Sequence, residues 1–406
     1  MPFGAVLRGA LVFSRGVANV SIRVDPSLPG LFAAHFEGDD RLVGADAKRQ
    51  MQHGQWKIDG MEAEYGLGFE IATIGGRRLL GHGGGYPGHI TRTYFEQRGF
   101  GKDYRVIESD YVLSPGQECP RTHQFIGHTL SMNITSMVRD TDRYYSYDWV
   151  ARTVHGQGGL WGYAHVNSDL FFVHRDMSMN VPAGNVDFAE VLQFNHLGTD
   201  LYYDFLNLGF KITASAGSDV PWGGTVGEVR MYARVDPKDY TADAWFEAVR
   251  QGHTFVTNGP MIEFTVDGAI PGDELTAGPD QKLKVKARAW GDPARMLPIR
   301  LEIIRHGQAI KSIKSEEGQK EAALEFEVEA GDGFWIAARA EARNGAKAHT
   351  SPIYVVREGL RFWKYDAVEE LIAKRLDSLA EVENIVKEAK DAVAQGGLTM
   401  LDRGTT

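Results

Sequence analysis

Four residues with metal-ligating side chains lie in the middle of the chain, each where an apolar, strand-like run meets a turn. They are Glu118, His128, His165 and Asp219, within Pro-Gly-Gln-Glu, Gly-His, Ala-His and Gly-Ser-Asp sequences. Carboxylates and imidazoles suit zinc, manganese or iron, and such an ion makes water a usable nucleophile near neutral pH. The pattern predicts a divalent metal site formed by all four residues, with Glu118, His165 and Asp219 taking part in catalysis.

Each of the four residues also has an ordinary structural explanation. Glu118 could be a solvated turn residue, the two histidines could be hydrogen-bonded at strand ends, and Asp219 could cap a loop. That explanation is better for any one residue alone, whereas the ordered set of four favours metal binding.

A second group of polar residues could orient the ligands or contact a substrate. Glu190 lies in a strand-like run and His196 follows it, so either could hydrogen-bond to a ligand, and His155 is a third such residue. Arg250 and Asn258 could contact a charged or carbonyl group of the substrate. Core or surface positions explain the two histidines and Glu190 equally well, and Arg250 on a helix face is more often simply solvated.

Composition limits the classes of partner. The 406 residues carry a net charge of -10, which argues against a broad nucleic-acid surface. The single cysteine, Cys119, excludes an internal disulfide and a thiolate-cage zinc site. No apolar run reaches the roughly 18 residues that cross a bilayer, and residues 1–17 form a poor secretory pattern. We expect a cytoplasmic protein with no nucleic-acid or membrane partner. Composition does not define its oligomeric state.

Alternating strand and helix patterns surround the candidate ligands between residues 100 and 262. Strand-like segments at 160–164 and 211–216 precede His165 and Asp219, and a helical pattern at 200–208 ends at a glycine. This rhythm predicts parallel β/α units, whose strand ends would present the ligands at one rim.

The flanking segments have different patterns. Residues 1–40 remain unassigned, and 41–95 combine a short helical pattern with strand-turn-strand sequences rich in glycine. Period-two alternation in 263–357 predicts a small antiparallel β-sandwich. Apolar residues at three- and four-residue spacing in 358–396 predict a long amphipathic helix.

Taken in order, the motifs of about 100–275 resemble those of CehA/McbA-type metallohydrolases of the polymerase and histidinol phosphatase (PHP) superfamily. The matching set is completed by Gly-Gly before Ala-His and by Thr-Asn-Gly-Pro at 257–260. The resemblance implies a distorted (β/α)7 barrel that holds a cluster of divalent metals and hydrolyses phosphoesters or aryl carbamate esters. It places the family's ligands on Glu118, His128, His165 and Asp219.

The chain departs from this family at its amino-terminal side, because the His-x-His strand that opens the family's barrel has no counterpart. Residues 41–95 instead resemble the closing part of serine β-lactamase and penicillin-binding-protein-type hydrolases, through Tyr-Gly-Leu-Gly at 65–68 and Gly-His-Gly-Gly at 81–84. The Ser-x-x-Lys turn that this chemistry needs is missing. Recruitment of His53, His82 or His89 as replacement metal ligands remains an alternative.

These observations predict an α/β protein: a distorted or incomplete (β/α)7 PHP-type barrel at 100–262, followed by the sandwich and the helix. The function that the resemblance implies is metal-dependent hydrolysis of a small-molecule ester substrate, a phosphoester or an aryl carbamate ester, by a metal-activated water. One alternative is a catalytically impaired relative that acts as a binding or scaffold protein. A weaker alternative is a serine-β-lactamase-like hydrolase.

Overall fold

The computed structural model describes residues 11–14, 56–57, 63–65, 70–74, 77–86, 89–95 and 102–394, the last with gaps at 103–104, 108–110, 115, 123–126, 137, 139–142, 144–145, 167–173, 220–226, 237, 279, 317–318 and 358–360. The first strands are β1 (Leu11–Ser14), β2 (Trp56–Lys57), β3 (Ala63–Tyr65), β4 (Glu70–Ile74), β5 (Arg77–Tyr86) and β6 (His89–Phe95). Strands β2 to β6 form an antiparallel sheet in chain order. His82 and His89 lie on β5 and β6, but their side chains, like all of His53, are outside the described part of the structure.

The central segment carries the candidate ligands. Its elements are β7 (Val106–Ile107), β8 (Tyr111–Ser114), β9 (Gln117–Thr122), β10 (Gly127–Met132), α1 (Tyr147–Gly156), β11 (Leu160–Tyr163), α2 (Met177–Asn180), β12 (Phe188–Gln193), β13 (His196–Leu197), α3 (Asp200–Asn207) and β14 (Thr213–Ala216). Strand β8 pairs with β1 and β7. The other six strands form one sheet in the order β13-β12-β11-β10-β9, with β14 beside β12.

The predicted α/β class and its (β/α)7 barrel are wrong, because the described residues form mostly β-structure. Strands β9, β10 and β11 pair antiparallel, whereas β12 pairs in parallel with β11 and β14, so the described strands form an open mixed sheet. A parallel pair needs a crossover of a dozen or more residues, and the connection between Thr122 and Gly127 is far too short for one. Among the strands of this sheet, the predicted parallel pairing occurs between β11, β12 and β14, whose connections contain α2 and α3.

The rest of the described chain is mostly β-structure. Its elements are β15 (Arg230–Ala233), α4 (Ala242–Arg250), β16 (Thr254–Thr257), β17 (Met261–Val266), β18 (Glu274–Ala277), β19 (Lys282–Trp290), β20 (Ile299–Arg305), β21 (Gln308–Lys314), β22 (Glu321–Glu329), β23 (Phe334–Ala342), β24 (Lys347–Thr350), β25 (Ile353–Arg357), a 3-10 turn (Tyr365–Ala367) and α5 (Val368–Ala394).

Two sheets pack as a sandwich. One is three-stranded, β17-β19-β22; the other runs β15-β16-β24-β23-β20-β21 and adds β25 beside β23 and β18 beside β25. Strand β19 shows why they pack: its lysines and Arg288 face solvent while Leu283, Val285 and Ala287 enter the shared core. Strands β15 and β16, which precede residue 263, extend the larger sheet.

The sandwich also packs against the mixed sheet. Trp335 and Tyr354 belong to the same buried cluster as Trp161, Phe188 and Phe205. No helix in the described part of the chain is long and apolar enough to cross a bilayer.

Candidate metal site

Glu118 and His128 meet across the hairpin formed by β9 and β10. Glu118 is opposite Leu130, and His128 lies two residues before Leu130, so both side chains project from the same face of the sheet. The register shifts between His128 and Leu130, which marks a β-bulge. The His128 Nδ1 and Glu118 Oε1 atoms are 2.8 Å apart, and both side chains are 1% exposed.

His165 reaches the same place from the turn after β11. Its φ of +58° lies in the left-handed region, where a non-glycine residue is uncommon and strained. Two backbone N–H groups hold this turn: Ala164 N donates to the backbone His128 O at 3.0 Å, and His165 N donates to the side-chain Glu190 Oε2 at 3.2 Å. The turn brings His165 Nε2 to 3.6 Å from Glu118 Oε1.

The three side chains form a buried group that could hold a metal ion. Donor atoms of Glu118, His128 and His165 lie within 4.8 Å of one another, and all three residues are buried. In a tetrahedral zinc site each donor atom lies about 2.0 to 2.1 Å from the ion, which puts two donor atoms about 3.3 Å from each other. The separations of 2.8 and 3.6 Å from Glu118 Oε1 to the two histidines bracket that value. Two of the three pairs are therefore spaced much like donors that share such an ion, and the third pair lies within 4.8 Å.

Gln193 sets the orientation of the His165 ring and was missed by sequence reasoning. His165 Nδ1 donates to Gln193 Oε1, and Glu190 Oε2 lies 4.0 Å from the same nitrogen. In a neutral ring, donation from Nδ1 leaves the lone pair on Nε2, the nitrogen that faces Glu118.

A bulge explains why Gln193 was missed. Residues 190 and 193 of a regular strand point to opposite faces. In β12, however, the pairing with β14 shifts between Glu190 and Leu192. The extra residue of a bulge re-aims the side chains that follow it, so both polar groups reach His165.

Phe194 lies beside His165, in the β12–β13 hairpin. Phe194 and Asn195 have φ of 49° and 57° and form the two-residue turn of the β12–β13 hairpin, as in a type I′ turn. The Phe194 ring is stacked with His165 at 6.3 Å between centroids, although Phe194 itself is 41% exposed. One side of the buried ligand is thus covered by an exposed aromatic ring.

Asp219 lies at the same end of the sheet. It is 4% exposed and follows β14, the strand beside β12, in a left-handed turn with φ of 44°. Within the described residues, the group of donor atoms that lie within 4.8 Å of one another contains Glu118, His128 and His165 but not Asp219.

His155 and Arg250 lie at the opposite end of the sheet. His155 Nε2 is 2.8 Å from Asp187 Oδ2, an atom that also accepts from Trp161 N at the start of β11. Arg250 donates to the carbonyl of Gly158 at 2.9 Å, in the turn before β11. The structure therefore does not bring these two residues to the ligands.

His196 and Asn258 lie around the β12–β13 hairpin. The His196 side chain is exposed on β13. Asn258 Nδ2 donates to Asn195 Oδ1 at 2.6 Å, and its Oδ1 accepts from Lys347 N at 2.6 Å. Asn258 thus ties the sandwich to the turn that carries Phe194.

No protein-family model matches the chain, and no curated protein matches it. Among solved structures, a CARDB domain from Pyrococcus furiosus is 14% identical, with a TM-score of 0.18 over 24% of this chain and 96% of that one. A superoxide reductase (neelaredoxin) from Ignicoccus hospitalis is 20% identical, with a TM-score of 0.18 over 24% of this chain and 81% of that one. Similarities at these scores carry no argument about fold or function.

Proposed function

We propose that this protein is a metal-dependent hydrolase that cleaves an ester bond. The observation that carries the proposal is the buried group of Glu118, His128 and His165. One carboxylate and two imidazoles, gathered in a place that solvent barely reaches, are a donor set that zinc, manganese or iron accepts. When bound, zinc, manganese or iron would act as a Lewis acid and supply a water nucleophile near neutral pH.

The surrounding residues support a role beyond packing. Gln193 directs the His165 Nε2 atom toward Glu118, which is the orienting contact expected around a metal-ligating histidine. Glu190 holds the strained backbone of the same ligand. Asp219 provides a further buried carboxylate at this end of the sheet, and we propose it as an additional ligand.

The ordered motifs support an ester as the substrate. They resemble CehA/McbA-type metallohydrolases, which makes a phosphoester or an aryl carbamate ester of a small molecule the first choice. This part of the proposal rests on sequence motifs alone, since the described strands do not form the barrel. We expect the protein to act in the cytoplasm.

The test combines metal analysis with hydrolysis. Purified protein is loaded separately with zinc, manganese and ferrous iron and assayed on an aryl phosphomonoester, an aryl phosphodiester and an aryl N-methylcarbamate, with and without chelator. We expect hydrolysis of at least one ester that is lost with chelator and restored by metal.

Two controls sharpen this test. His165→Ala should abolish the metal-dependent rate, whereas His306→Ala, on the sandwich, should retain it. Because two histidines and a carboxylate also bind iron in oxygen-activating enzymes, the metal is identified before the rates are compared. A folded, metal-loaded protein that hydrolyses none of the esters would contradict the proposal and favour a binding or scaffold role. Hydrolysis that resists chelator but is blocked by a serine-directed acylating probe would favour the serine-hydrolase alternative.

A further inference from the structure

We propose that His174 is a positioning residue that fixes both histidine ligands through their backbones; this inference rests on the proposed function. His174 is 3% exposed and lies just before α2. Its Nε2 donates to the carbonyl oxygen of Ala164, the residue before His165, at 2.8 Å. No motif or residue spacing in the sequence indicated a role for His174.

The bond from His174 completes a clamp on one peptide unit. The peptide group between Ala164 and His165 has two polar ends. His174 holds its carbonyl, and Glu190 Oε2 accepts from its N–H at 3.2 Å. A peptide group is planar, so two hydrogen bonds at its ends fix the orientation of the whole group. The φ torsion of His165, which is left-handed, is measured relative to this peptide plane. A strained backbone conformation persists only where its surroundings hold it in this way.

The same ring also contacts the residue before His128. A Cβ atom placed on Gly127 would lie 2.5 Å from His174 Cδ2, so this packing requires glycine. Ala164 N in turn donates to His128 O at 3.0 Å. His174 therefore touches the backbone immediately before each histidine ligand, and displacing it should misplace both imidazoles together.

A buried polar cluster holds His174 in place. Tyr163 is paired with Thr129, and Glu118 is paired with Leu130. Because Thr129 and Leu130 are neighbours on one strand, their side chains point to opposite faces of the sheet, and so do those of Tyr163 and Glu118. On its own face Tyr163 OH donates to Asp176 Oδ2 at 2.6 Å and accepts from Asn180 Nδ2 at 3.1 Å. These bonds attach α2 to β11, and the Tyr163 and His174 rings meet edge to face at 5.7 Å.

The test uses cobalt(II) as the probe, because its visible absorption reports ligand geometry independently of activity. The full-length protein is titrated with cobalt, and affinity and spectrum are compared between variants. We expect His174→Leu to weaken cobalt binding by about 10- to 100-fold, as typically found when an outer contact of a metal site is lost. Its ligand-field bands should also shift or lose intensity.

A conservative variant and a matched control separate positioning from general stability. His174→Gln can present an amide N–H near the position of Nε2, and we expect it to recover affinity to within about threefold of the parent. His306 makes the same kind of bond, from Nε2 to the Phe362 carbonyl at 2.8 Å, far from the site. His306→Leu should leave cobalt affinity and spectrum unchanged.

Parental affinity and spectrum in His174→Leu would overturn the inference, and so would a His174→Gln variant impaired as strongly as His174→Leu. If His174→Leu does not fold, Gly127→Ala provides the second test, because its methyl group displaces the His174 ring; parental cobalt affinity in that variant would overturn the inference. Failure of the proposed metal site itself gives a different result, namely a parent protein that does not bind cobalt.

Discussion

Replacing Glu118 by glutamine should change metal binding and metal-free stability in different directions. In the parent, His128 Nδ1 lies 2.8 Å from Glu118 Oε1. Glutamine has nearly the same shape as glutamate and keeps an oxygen that can accept a hydrogen bond from this nitrogen. It removes the negative charge from a side chain that is only 1% exposed. A buried charge costs several kcal/mol of desolvation. We therefore expect metal-free Glu118→Gln to be as stable as the parent or more stable.

The loss of metal affinity can be sized from the number of ligands. Structural zinc sites with four ligands contribute about 10 to 16 kcal/mol, or about 2.5 to 4 kcal/mol per ligand, which corresponds to about 10²- to 10³-fold in affinity. At a zinc concentration about 1,000 times the parental Kd, the ion stabilises the parent by about 4.1 kcal/mol. For Glu118→Gln at the same concentration, the same relation gives about 0.4 to 1.4 kcal/mol.

The assay is urea unfolding of the parent and Glu118→Gln, each with chelator and with zinc. The expected result is a large zinc-induced rise in the free energy of unfolding for the parent, a small one for the variant, and no loss of stability for the variant in chelator. An equal rise in both proteins would refute the role of Glu118 as a ligand. Destabilisation in chelator with a parental zinc response would show that Glu118 acts in packing alone.

Three further predictions follow from individual contacts. Gln193→Leu removes the acceptor for His165 Nδ1 and should weaken zinc binding by about tenfold or more, measured by competition with a chromogenic chelator; unchanged affinity would argue against orientation by Gln193. Gly127→Ala forces alanine into a φ of +88° and against His174, so urea unfolding should show a loss of about 2 kcal/mol or more. Burial lowers the pKa of His349 from 6.5 to about 4 in the folded protein. As pH falls, this histidine is therefore protonated in the unfolded chain before it is protonated in the folded one. Stability should be fully present above pH 6.5 and fall by about 3 kcal/mol as pH drops to 4, and His349→Gln should flatten that part of the profile.

The periodicity of side chains in the sequence predicted individual strands better than it predicted the direction in which those strands pair. Lysines alternating with Leu283, Val285 and Ala287 predict a strand with one buried face, which β19 has. Such alternation says nothing about strand direction. Direction depends on the connections, and the short link from Thr122 to Gly127 was the available signal against a parallel pair there.

The candidate site was predictable where a metal-binding residue type lies next to the junction of a strand and a turn, and not where its support comes from residues distant in sequence. Glu118, His128 and His165 could be chosen from residue type and position, and they meet in the structure. Gln193 reaches His165 through a bulge, which period-two reasoning cannot foresee. His174 acts on a backbone carbonyl, so no pattern of side chains reveals its partner.

Metal content tests the central claim most directly. The parent and His165→Ala are incubated with zinc, manganese or ferrous iron, freed of unbound ions by gel filtration and measured by elemental analysis, with folding checked by circular dichroism. The buried Glu118, His128 and His165 group predicts retained metal in the parent and a marked loss in the variant. Equal metal in both folded proteins, or only trace metal in the parent with every ion, would contradict it.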